Sequence, residues 1–204
     1  MEHVCLDLEG VLIPEIWAEV AEYTGEEQFK LTTQDLKDYS ELMDMRIDLV
    51  QSIGLSFLEI QSLVDKMEPF DGAREFIDWV RDNFQLTIVS DSFYELAWPL
   101  LRKLGTPSIN CHYLDIENNE LKGYTLRQLE NKKKVVQGLK DMKFKVFASG
   151  DSYNDIQMLQ EADLGVFFQA PKHIREEFKD IEGVESHEDL KNLLIENSSF
   201  IGRT

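Results

Sequence analysis

Four polar stretches of the chain carry side chains that could act together on a phosphate ester. They are Asp-Leu-Glu-Gly at 7–10, Ser-Asp-Ser at 90–92, Lys-Lys-Lys at 132–134 and Gly-Asp at 150–151. The oxygens of a phosphate ester repel an anionic nucleophile, so transfer of the phosphoryl group requires a cation. Because Mg²⁺ prefers one or two carboxylates together with waters and phosphate oxygens, we expect Asp7 and Asp151 to share one Mg²⁺.

Asp7 has the properties of a nucleophile in such a transfer. With one oxygen on the cation, its other oxygen can attack phosphorus and form an aspartyl phosphate. Glu9 lies two residues on, and a turn at Gly10, which tolerates unusual backbone angles, brings it to the leaving oxygen. We therefore expect Glu9 to protonate the leaving group and then to activate the acceptor. Glu9 is also a candidate metal ligand beside Asp7 and Asp151.

The other stretches offer groups for the phosphate oxygens. The hydroxyl of Ser90 and the backbone N–H groups after it, beginning with Asp91, can donate hydrogen bonds to phosphate. Lys132 would offset the negative charge of Asp7 and of the phosphate. A run of three lysines is more often a solvated helix face, so the residues alone leave open which lysine of 132–134 faces the site.

Short apolar runs that end at these polar residues predict the strands of a parallel sheet. The runs are 4–6, 86–89, 146–148 and 164–168, and helical spacing of apolar residues is found at 73–83, 94–104, 132–142 and 154–162. Strands that alternate with helices indicate an α/β fold, with a mostly parallel sheet and helices on both faces. Ligands bind at the carboxyl edge of such a sheet, where three of the polar stretches fall, whereas Lys132 opens a helix.

The block 15–69 interrupts this alternation. Pro14 and Pro69 bracket it, and it contains three predicted helices but no convincing strand. We interpret 15–69 as a helical cap domain inserted after the first strand, and 1–14 with 70–204 as the catalytic core. Turn residues at 118–119, between two short apolar runs, predict a small hairpin in the core.

Composition limits the classes of partner. The 204 residues carry a formal net charge of −18, so the chain repels nucleic-acid backbones and anionic membranes. The two cysteines, Cys5 and Cys111, make no disulfide framework, and neither has an arginine six residues on, as a cysteine phosphatase would. Because there is no long apolar run and no leader-like pattern, we expect a cytoplasmic protein without nucleic-acid or membrane partners. The oligomeric state is left open, a homodimer included.

In this order and on these strands, the motifs resemble those of the haloacid dehalogenase superfamily over nearly the whole chain. The stretch 7–11 is similar to the first motif, Ser90 to the second, Lys132 to the third, and Gly-Asp at 150–151 with Asp155 to the fourth. The resemblance implies a Rossmann-like core, Mg²⁺ and phosphoaspartate chemistry. The helical block resembles the mobile cap of the phosphoserine phosphatase branch.

Two departures from the superfamily pattern narrow the resemblance. The second carboxylate is usually Asp and is Glu9 here, and Asp91 and Ser92 stand where the branch commonly has glycines. Both features are similar to a narrower bacterial group, the bifunctional phosphoserine phosphatase/homoserine phosphotransferases. That resemblance implies O-phosphoserine as substrate and homoserine as an additional phosphoryl acceptor.

The same resemblance implies roles for residues outside the four stretches. Glu15 would bind the substrate ammonium, and Arg46 would bind its carboxylate, for which a guanidinium fork is suited. Asn154 would orient the phosphate or the metal ligands. Asp155 would either hold a metal-bound water or cap the helix that follows. Among the three lysines, Lys132 aligns best with the third motif.

We therefore expect a Mg²⁺-dependent phosphoserine phosphatase that also transfers the phosphoryl group to homoserine. One alternative is the same core acting on another small ester, a sugar phosphate or a nucleotide. A second is a receiver module whose aspartate is phosphorylated as a signal. The cap and Glu9 argue against the receiver, because a receiver needs neither a closed chamber nor an acid for a leaving group.

Overall fold

A seven-stranded sheet organises the computed structural model, which describes residues 1–33, 35–36 and 38–201. The strands are β1 (Glu2–Leu6), β2 (Gln85–Phe93), β3 (Ile109–Glu117), β4 (Glu120–Thr125), β5 (Lys145–Gly150), β6 (Leu164–Phe168) and β7 (Glu182–Val184). Their order is β4-β3-β2-β1-β5-β6-β7, and every neighbouring pair is parallel except β3 with β4. The predicted α/β class with a mostly parallel sheet is confirmed.

Helices cover both faces of this sheet. In the described part of the chain they are α1 (Ile16–Thr24), α2 (Tyr39–Ser52), α3 (Phe57–Val64), α4 (Ala73–Asn83), α5 (Tyr94–Lys103), α6 (Asn131–Asp141), α7 (Ile156–Glu161), α8 (Lys172–Glu177) and α9 (His187–Asn197). Successive residues of a strand point to opposite faces. Accordingly, Val4 and Leu6 pack in the core that contains α4, α5 and α9, whereas Cys5 packs in the core that contains α6, α7 and α8.

Three helices, α1 to α3, lie between β1 and α4, where the helical insertion was predicted. α1 ends at Gly25, whose φ of 77° suits a left-handed cap. α3 begins with the predicted capping box, in which Ser56 and Glu59 exchange both hydrogen bonds. Apolar residues of all three helices join the same core as α4 and α5.

The division into a cap domain, 15–69, and a core, 1–14 with 70–204, stays a prediction. Residues 34 and 37 of that cap, and 202–204 of that core, lie outside the described residues.

The structure differs from the predicted elements in three places. β2 continues to Phe93 with a shift of register against β3, so 90–92 lie within the end of the strand and not after it. The predicted hairpin forms as β3 and β4, but β3 also pairs with β2 and extends the main sheet. β7, α8 and α9 were not predicted; β7 and α8, with three and six residues, are too short to show periodicity.

No single helix in the described ranges is both long and apolar enough to cross a bilayer. Only α2 and α3 taken as a pair reach that length and composition, and they are bent by 110°. Cys5 and Cys111 are buried and free.

Candidate active site

Three carboxylates meet at the carboxyl edge of the sheet. Asp7 follows β1, Asp151 follows β5, and Asp155 ends the short 3₁₀ turn before α7. One oxygen of each lies within 4.8 Å of the others. The pairing of β1 with β5 explains the approach, because Leu6 lies opposite Ser149 and the residues that follow leave the sheet side by side. Three clustered carboxylate oxygens are hard ligands and fit a divalent cation such as Mg²⁺ or Ca²⁺.

Two glycines make the close packing of these carboxylates possible. Gly10 has a φ of 77°, and a Cβ atom at this position would lie 2.3 Å from Cγ of Asp151. A Cβ atom on Gly150 would lie 2.2 Å from Cγ of Asp155. Both distances are far inside van der Waals contact, so each backbone passes a carboxylate at a spacing that only glycine permits.

One buried lysine bridges the carboxylates. Lys132 is the second residue of α6 and is 5% exposed. Its Nζ atom lies 2.7 Å from Oδ2 of Asp7 and 2.8 Å from Oδ1 of Asp155. Lys133 is half-buried and Lys134 is exposed. The lysine that aligned best with the third motif is therefore the one that contacts the carboxylates.

The cluster carries excess negative charge. With all three carboxyl groups ionised, they and the ammonium of Lys132 carry two net negative charges, which one divalent cation would cancel. Burial, followed by the charge of Asp155, raises the pKa of Asp7 well above its usual range and raises that of Asp151 to about 7. Burial acts to lower the pKa of Lys132, but the charges of Asp155 and Asp7 outweigh it and raise that pKa. A divalent cation at the cluster would lower the pKa values of the carboxyl groups.

Asp155 makes two kinds of contact. Its Oδ2 atom accepts hydrogen bonds from the backbone N–H groups of Asp151 and Ser152, at 3.0 and 3.1 Å, and from the Ser152 hydroxyl. Its Oδ1 atom faces Lys132. Asp155 therefore completes a capping box with Ser152 at the start of the 3₁₀ turn, but its side chain makes no cap hydrogen bond to α7, the helix that follows. The metal-bound water stays a prediction.

The end of β2 lies across the cluster from β5. Ser90 is buried, and its Oγ atom accepts a hydrogen bond from the N–H of Ser92 at 3.1 Å. A carboxylate oxygen of Asp91 lies 3.8 Å from Nζ of Lys132, and the other lies 3.7 Å from Nε2 of His112. Burial acts to raise the pKa of Asp91, but Lys132 and His112 outweigh it and hold that pKa below its usual value. His112, for which no role was predicted, is a buried neighbour of the site.

Two glutamates lie side by side between the cluster and the cap. Glu15 stands just before α1, and its carboxyl group lies close enough to that of Glu9 for the two to interact. Burial, followed by the charge of Glu9, raises the pKa of Glu15 to about 9. The Oε2 atom of Glu9 accepts a hydrogen bond from the N–H of Ile16 at 2.9 Å. Glu9 therefore faces α1 and is not among the three carboxylates clustered in the described residues.

Arg46 brings a buried positive charge to the same end of the site. Its Nη2 atom donates to the carbonyl oxygen of Leu31 at 2.8 Å, and its Cζ atom lies 5.0 Å from the centre of the Trp17 ring. The Nε–H group of Arg46 has no acceptor among the described residues, and burial lowers the pKa of the guanidinium. An anionic ligand would supply the missing acceptor and compensate the buried charge.

Two hydrogen bonds join the segment around α2 to the loops at the sheet edge. The Thr33 hydroxyl donates to Oδ1 of Asn154 at 2.6 Å, and the Tyr39 hydroxyl donates to the carbonyl oxygen of Asp91 at 2.8 Å. A cavity of about 170 Å³ lies beneath these contacts. Every predicted site residue lines it except the fully buried Asp155.

Three residues near the site were not singled out from the sequence: Thr33, Tyr39 and Asn131. Thr33 and Tyr39 belong to no motif, and their partners are distant in the chain. Asn131 is buried and directly precedes Lys132. Its polar side chain next to the lysine of the third motif is the sequence feature from which a role could have been predicted.

Comparisons with known proteins show which family the chain resembles. A family model described as haloacid dehalogenase-like hydrolase matches residues 1–163. The phosphoserine phosphatase ThrH of Pseudomonas aeruginosa is 45% identical over 200 residues, which cover 98% of this chain and 98% of that protein. A phosphoserine phosphatase of Pseudomonas syringae pv. tomato is 43% identical over 200 residues, covering 98% of this chain and 84% of that protein.

A solved structure described as a phospho-aspartyl intermediate analogue of phosphoserine phosphatase has the same fold. Its TM-score is 0.77 at 23% identity, with coverage of 94% of this chain and 98% of that chain. The family model spans well over half of the residues, and the Pseudomonas relatives align along nearly all of them. The chain therefore belongs to the haloacid dehalogenase-like hydrolases.

Proposed function

We propose that the chain is a phosphoserine phosphatase that forms an aspartyl phosphate on Asp7 and can also transfer the phosphoryl group to homoserine. The main support for the proposal is that one cavity is lined by the Asp7 cluster at one end and by Glu15 and Arg46 at the other. Further support comes from the two Pseudomonas relatives, both named phosphoserine phosphatase.

The phosphate end supplies the nucleophile and the groups that hold the phosphate oxygens. An oxygen of Asp7 forms the new bond to phosphorus while the bond from phosphorus to the serine oxygen breaks. Ser90 and the backbone N–H of Asp91 donate hydrogen bonds to the phosphate oxygens, and Lys132 stabilises the charge that develops on them. The contact of Lys132 with Asp7 at 2.7 Å supports this role.

Glu9 is proposed as the acid and base of the reaction. Its carboxyl group gives a proton to the departing serine oxygen and then takes a proton from the acceptor that attacks the phosphoaspartate. The hydrogen bond that it accepts from the N–H of Ile16 supports the role, because it holds the carboxyl group between the Asp7 end and α1.

We propose Mg²⁺ as the cation, with Asp7 and Asp151 as its protein ligands and with Asp155 and Glu9 as further candidates. When bound, Mg²⁺ neutralises the phosphate oxygens and keeps Asp7 ionised. Support for this assignment comes from the oxygen-only donor set and from the two uncompensated negative charges of the cluster.

The cap end would select an amino acid. The substrate ammonium would bind the carboxylate of Glu15, and the substrate carboxylate would bind Arg46. The raised pKa of Glu15, about 9, indicates a place where a cation is favourable. Asn154, whose side chain accepts a hydrogen bond from Thr33, would orient the phosphate or the metal ligands.

Water and homoserine would compete for the same phosphoaspartate. Homoserine carries the same ammonium and carboxylate as serine, so the pocket that releases serine can bind it with its hydroxyl towards phosphorus. A cap, 15–69, that closes on the core, 1–14 with 70–204, would keep bulk water out and favour transfer. Among the hydrogen bonds between these parts, those of Thr33 and Tyr39 lie over the site and support a closed arrangement there. We also propose a cytoplasmic location and leave a homodimer to be tested by light scattering.

The decisive experiment measures phosphate release from O-phosphoserine with Mg²⁺, with and without homoserine, and follows O-phosphohomoserine as a product. A panel of sugar phosphates and nucleotides at equal concentration serves as the control for specificity. Preference for an ester without an amino-acid end would replace the substrate assignment. A stable phosphoprotein without turnover would favour the receiver alternative.

A further inference from the structure

Asn131, the residue before Lys132, connects three elements of the site through one buried amide. It is 2% exposed. Its Nδ2 atom donates to the carbonyl oxygen of Ser90 at 3.1 Å and to that of Asn110 at 3.3 Å. Its Oδ1 atom accepts a hydrogen bond from Nε2 of Gln128 at 3.2 Å. The amide thus links the end of β2, the start of β3 and the start of α6.

The backbone around α6 shows why such an anchor is needed. The helix begins at Asn131 after an irregular connection from β4, and Glu130 has a left-handed φ of 51°. A non-glycine residue in this conformation is maintained only where surrounding contacts fix it. The two carbonyl contacts of Asn131 are such contacts, and Lys132 reaches Asp7 from the turn that they hold.

We propose that Asn131 is a positioning residue for phosphoryl transfer, which fixes the Ser90 backbone relative to the Lys132 ammonium. The inference rests on the proposed roles of Ser90 and Lys132 at the phosphate. Asn131 holds the carbonyl group of Ser90 itself and is the residue directly before Lys132, so loss of the amide lets the two groups separate. A displacement of about 1 Å in a reacting constellation lowers the rate by about 100-fold.

The first test replaces the amide and measures kcat and KM separately. Asn131→Asp keeps the size of the side chain but removes both donors, and Asn131→Ala serves if the aspartate does not fold. We expect kcat to fall about 10- to 100-fold, and KM for the ester to change less than about threefold. Gln128→Ala, which removes only the partner of Oδ1, should lower kcat less than about threefold.

A control variant separates positioning from general stability. Val136→Ala shortens a buried side chain of the same helix that packs in the core that contains α6, α7 and α8, and leaves the hydrogen bonds of Asn131 in place. At a matched loss of melting temperature, it should leave kcat within about twofold of the unchanged protein. Equal losses of kcat in Val136→Ala and the Asn131 variants would overturn the proposal.

A second readout does not depend on any substrate. Acetylation of lysines by an amine-reactive ester, followed by mass spectrometry, reports the accessibility of each ammonium. Lys132 should react at least about fivefold faster in the Asn131 variants, while exposed Lys134 should not change. Unchanged Lys132 reactivity would also overturn the proposal. If phosphoserine is not hydrolysed but Lys132 becomes reactive, the substrate assignment fails and the positioning role stands.

Discussion

The two ends of the cavity are built from different kinds of structure. At the phosphate end, Asp7, Ser90 and Asp151 sit on or directly after β1, β2 and β5, which are neighbours in one hydrogen-bonded sheet. At the other end, Glu15 stands just before α1 and Arg46 lies on α2, and the segment around α2 reaches the sheet edge through side-chain contacts such as those of Thr33 and Tyr39.

The difference suggests that the part of the cavity that would carry out the reaction is held more rigidly than the part that would recognise the amino acid. A ladder of backbone hydrogen bonds holds the reacting groups in a fixed arrangement, which phosphoryl transfer requires. The helices of the proposed cap pack in the same core as α4 and α5, but side-chain hydrogen bonds such as those of Thr33 and Tyr39 join them to the sheet edge, and such bonds can open at a small cost in free energy. Variants at the phosphate end should therefore abolish turnover, whereas variants at the cap end should change which molecule is bound or which acceptor is used.

The largest effect is expected from Asp7→Asn. The amide cannot form the phosphoaspartate, so phosphate release should fall by at least about 10⁴-fold, measured with purified protein and saturating Mg²⁺. Electrospray mass spectrometry should show no phosphorylated intermediate in the variant. Residual turnover near that of the unchanged protein would remove Asp7 as the nucleophile.

Gly10→Ala should come next, because the new methyl group would collide with Asp151. The Cβ atom would lie 2.3 Å from Cγ of that residue at a φ of 77°, and we expect kcat to fall about 100-fold with weaker dependence on Mg²⁺. Gly25→Ala is the matched control, since Gly25 has the same φ of 77° and nothing within 4 Å of its Cβ. A similar loss of kcat in both variants would mean that backbone strain, and not the collision, is responsible.

Arg46→Ala tests the cap end directly. Loss of a charged hydrogen-bonding partner of the substrate carboxylate should raise KM for phosphoserine about 10- to 100-fold, while kcat changes much less. Arg102→Ala, at an exposed position of α5, should change neither constant. An unchanged KM in Arg46→Ala would show that the guanidinium does not bind the substrate carboxylate.

Stability of the metal-free protein should depend on pH through the crowded carboxyl groups. Because the folded pKa of Asp151 is about 7 and its ordinary value is 3.8, the folded state holds a proton that the unfolded state has lost between these values. The free energy of unfolding should therefore fall by about 3 kcal/mol as pH rises from 4 through 7.

Glu15 acts in the same direction up to its folded pKa of about 9. Urea titrations in the presence of a chelator measure this dependence, and Asp151→Asn should make it shallower. Saturating Mg²⁺ should remove much of it. Constant stability between pH 4 and 8 in the metal-free protein would contradict the shift at Asp151.

The smallest effect is expected from Thr33→Ala. Removing the exposed hydrogen bond to Asn154, now 2.6 Å long, should loosen the cap and admit water, so the ratio of O-phosphohomoserine to phosphate should fall about two- to fourfold. Thr106→Ala, at an exposed residue whose hydroxyl contacts only its neighbour Gly105, is the control. An unchanged product ratio would mean that this contact does not limit the entry of water.

Sequence reasoning predicted most residues of the phosphate end, but few of the side-chain contacts that hold those residues in place. Apolar runs that stop at Asp7 and Asp151 identify the ends of buried strands, and parallel strands bring their ends together. The contacts of Tyr39 and Asn131 were not predicted because their partners lie 52 and 41 residues away, and no local period encodes them. The extension of β2 to Phe93 was missed for a related reason: polar residues in a strand interrupt the apolar pattern.

The bridge that Lys132 makes between Asp7 and Asp155 should determine how the protein responds to removal of a bound metal ion. In a zinc finger the ion drives folding, so a chelator unfolds the domain. Here an ammonium fixed in the fold already keeps two of the carboxylates from pushing each other apart. Stripping with a chelator should consequently give an inactive but intact protein, and activity should return on simple addition of Mg²⁺, within mixing time and without any refolding step.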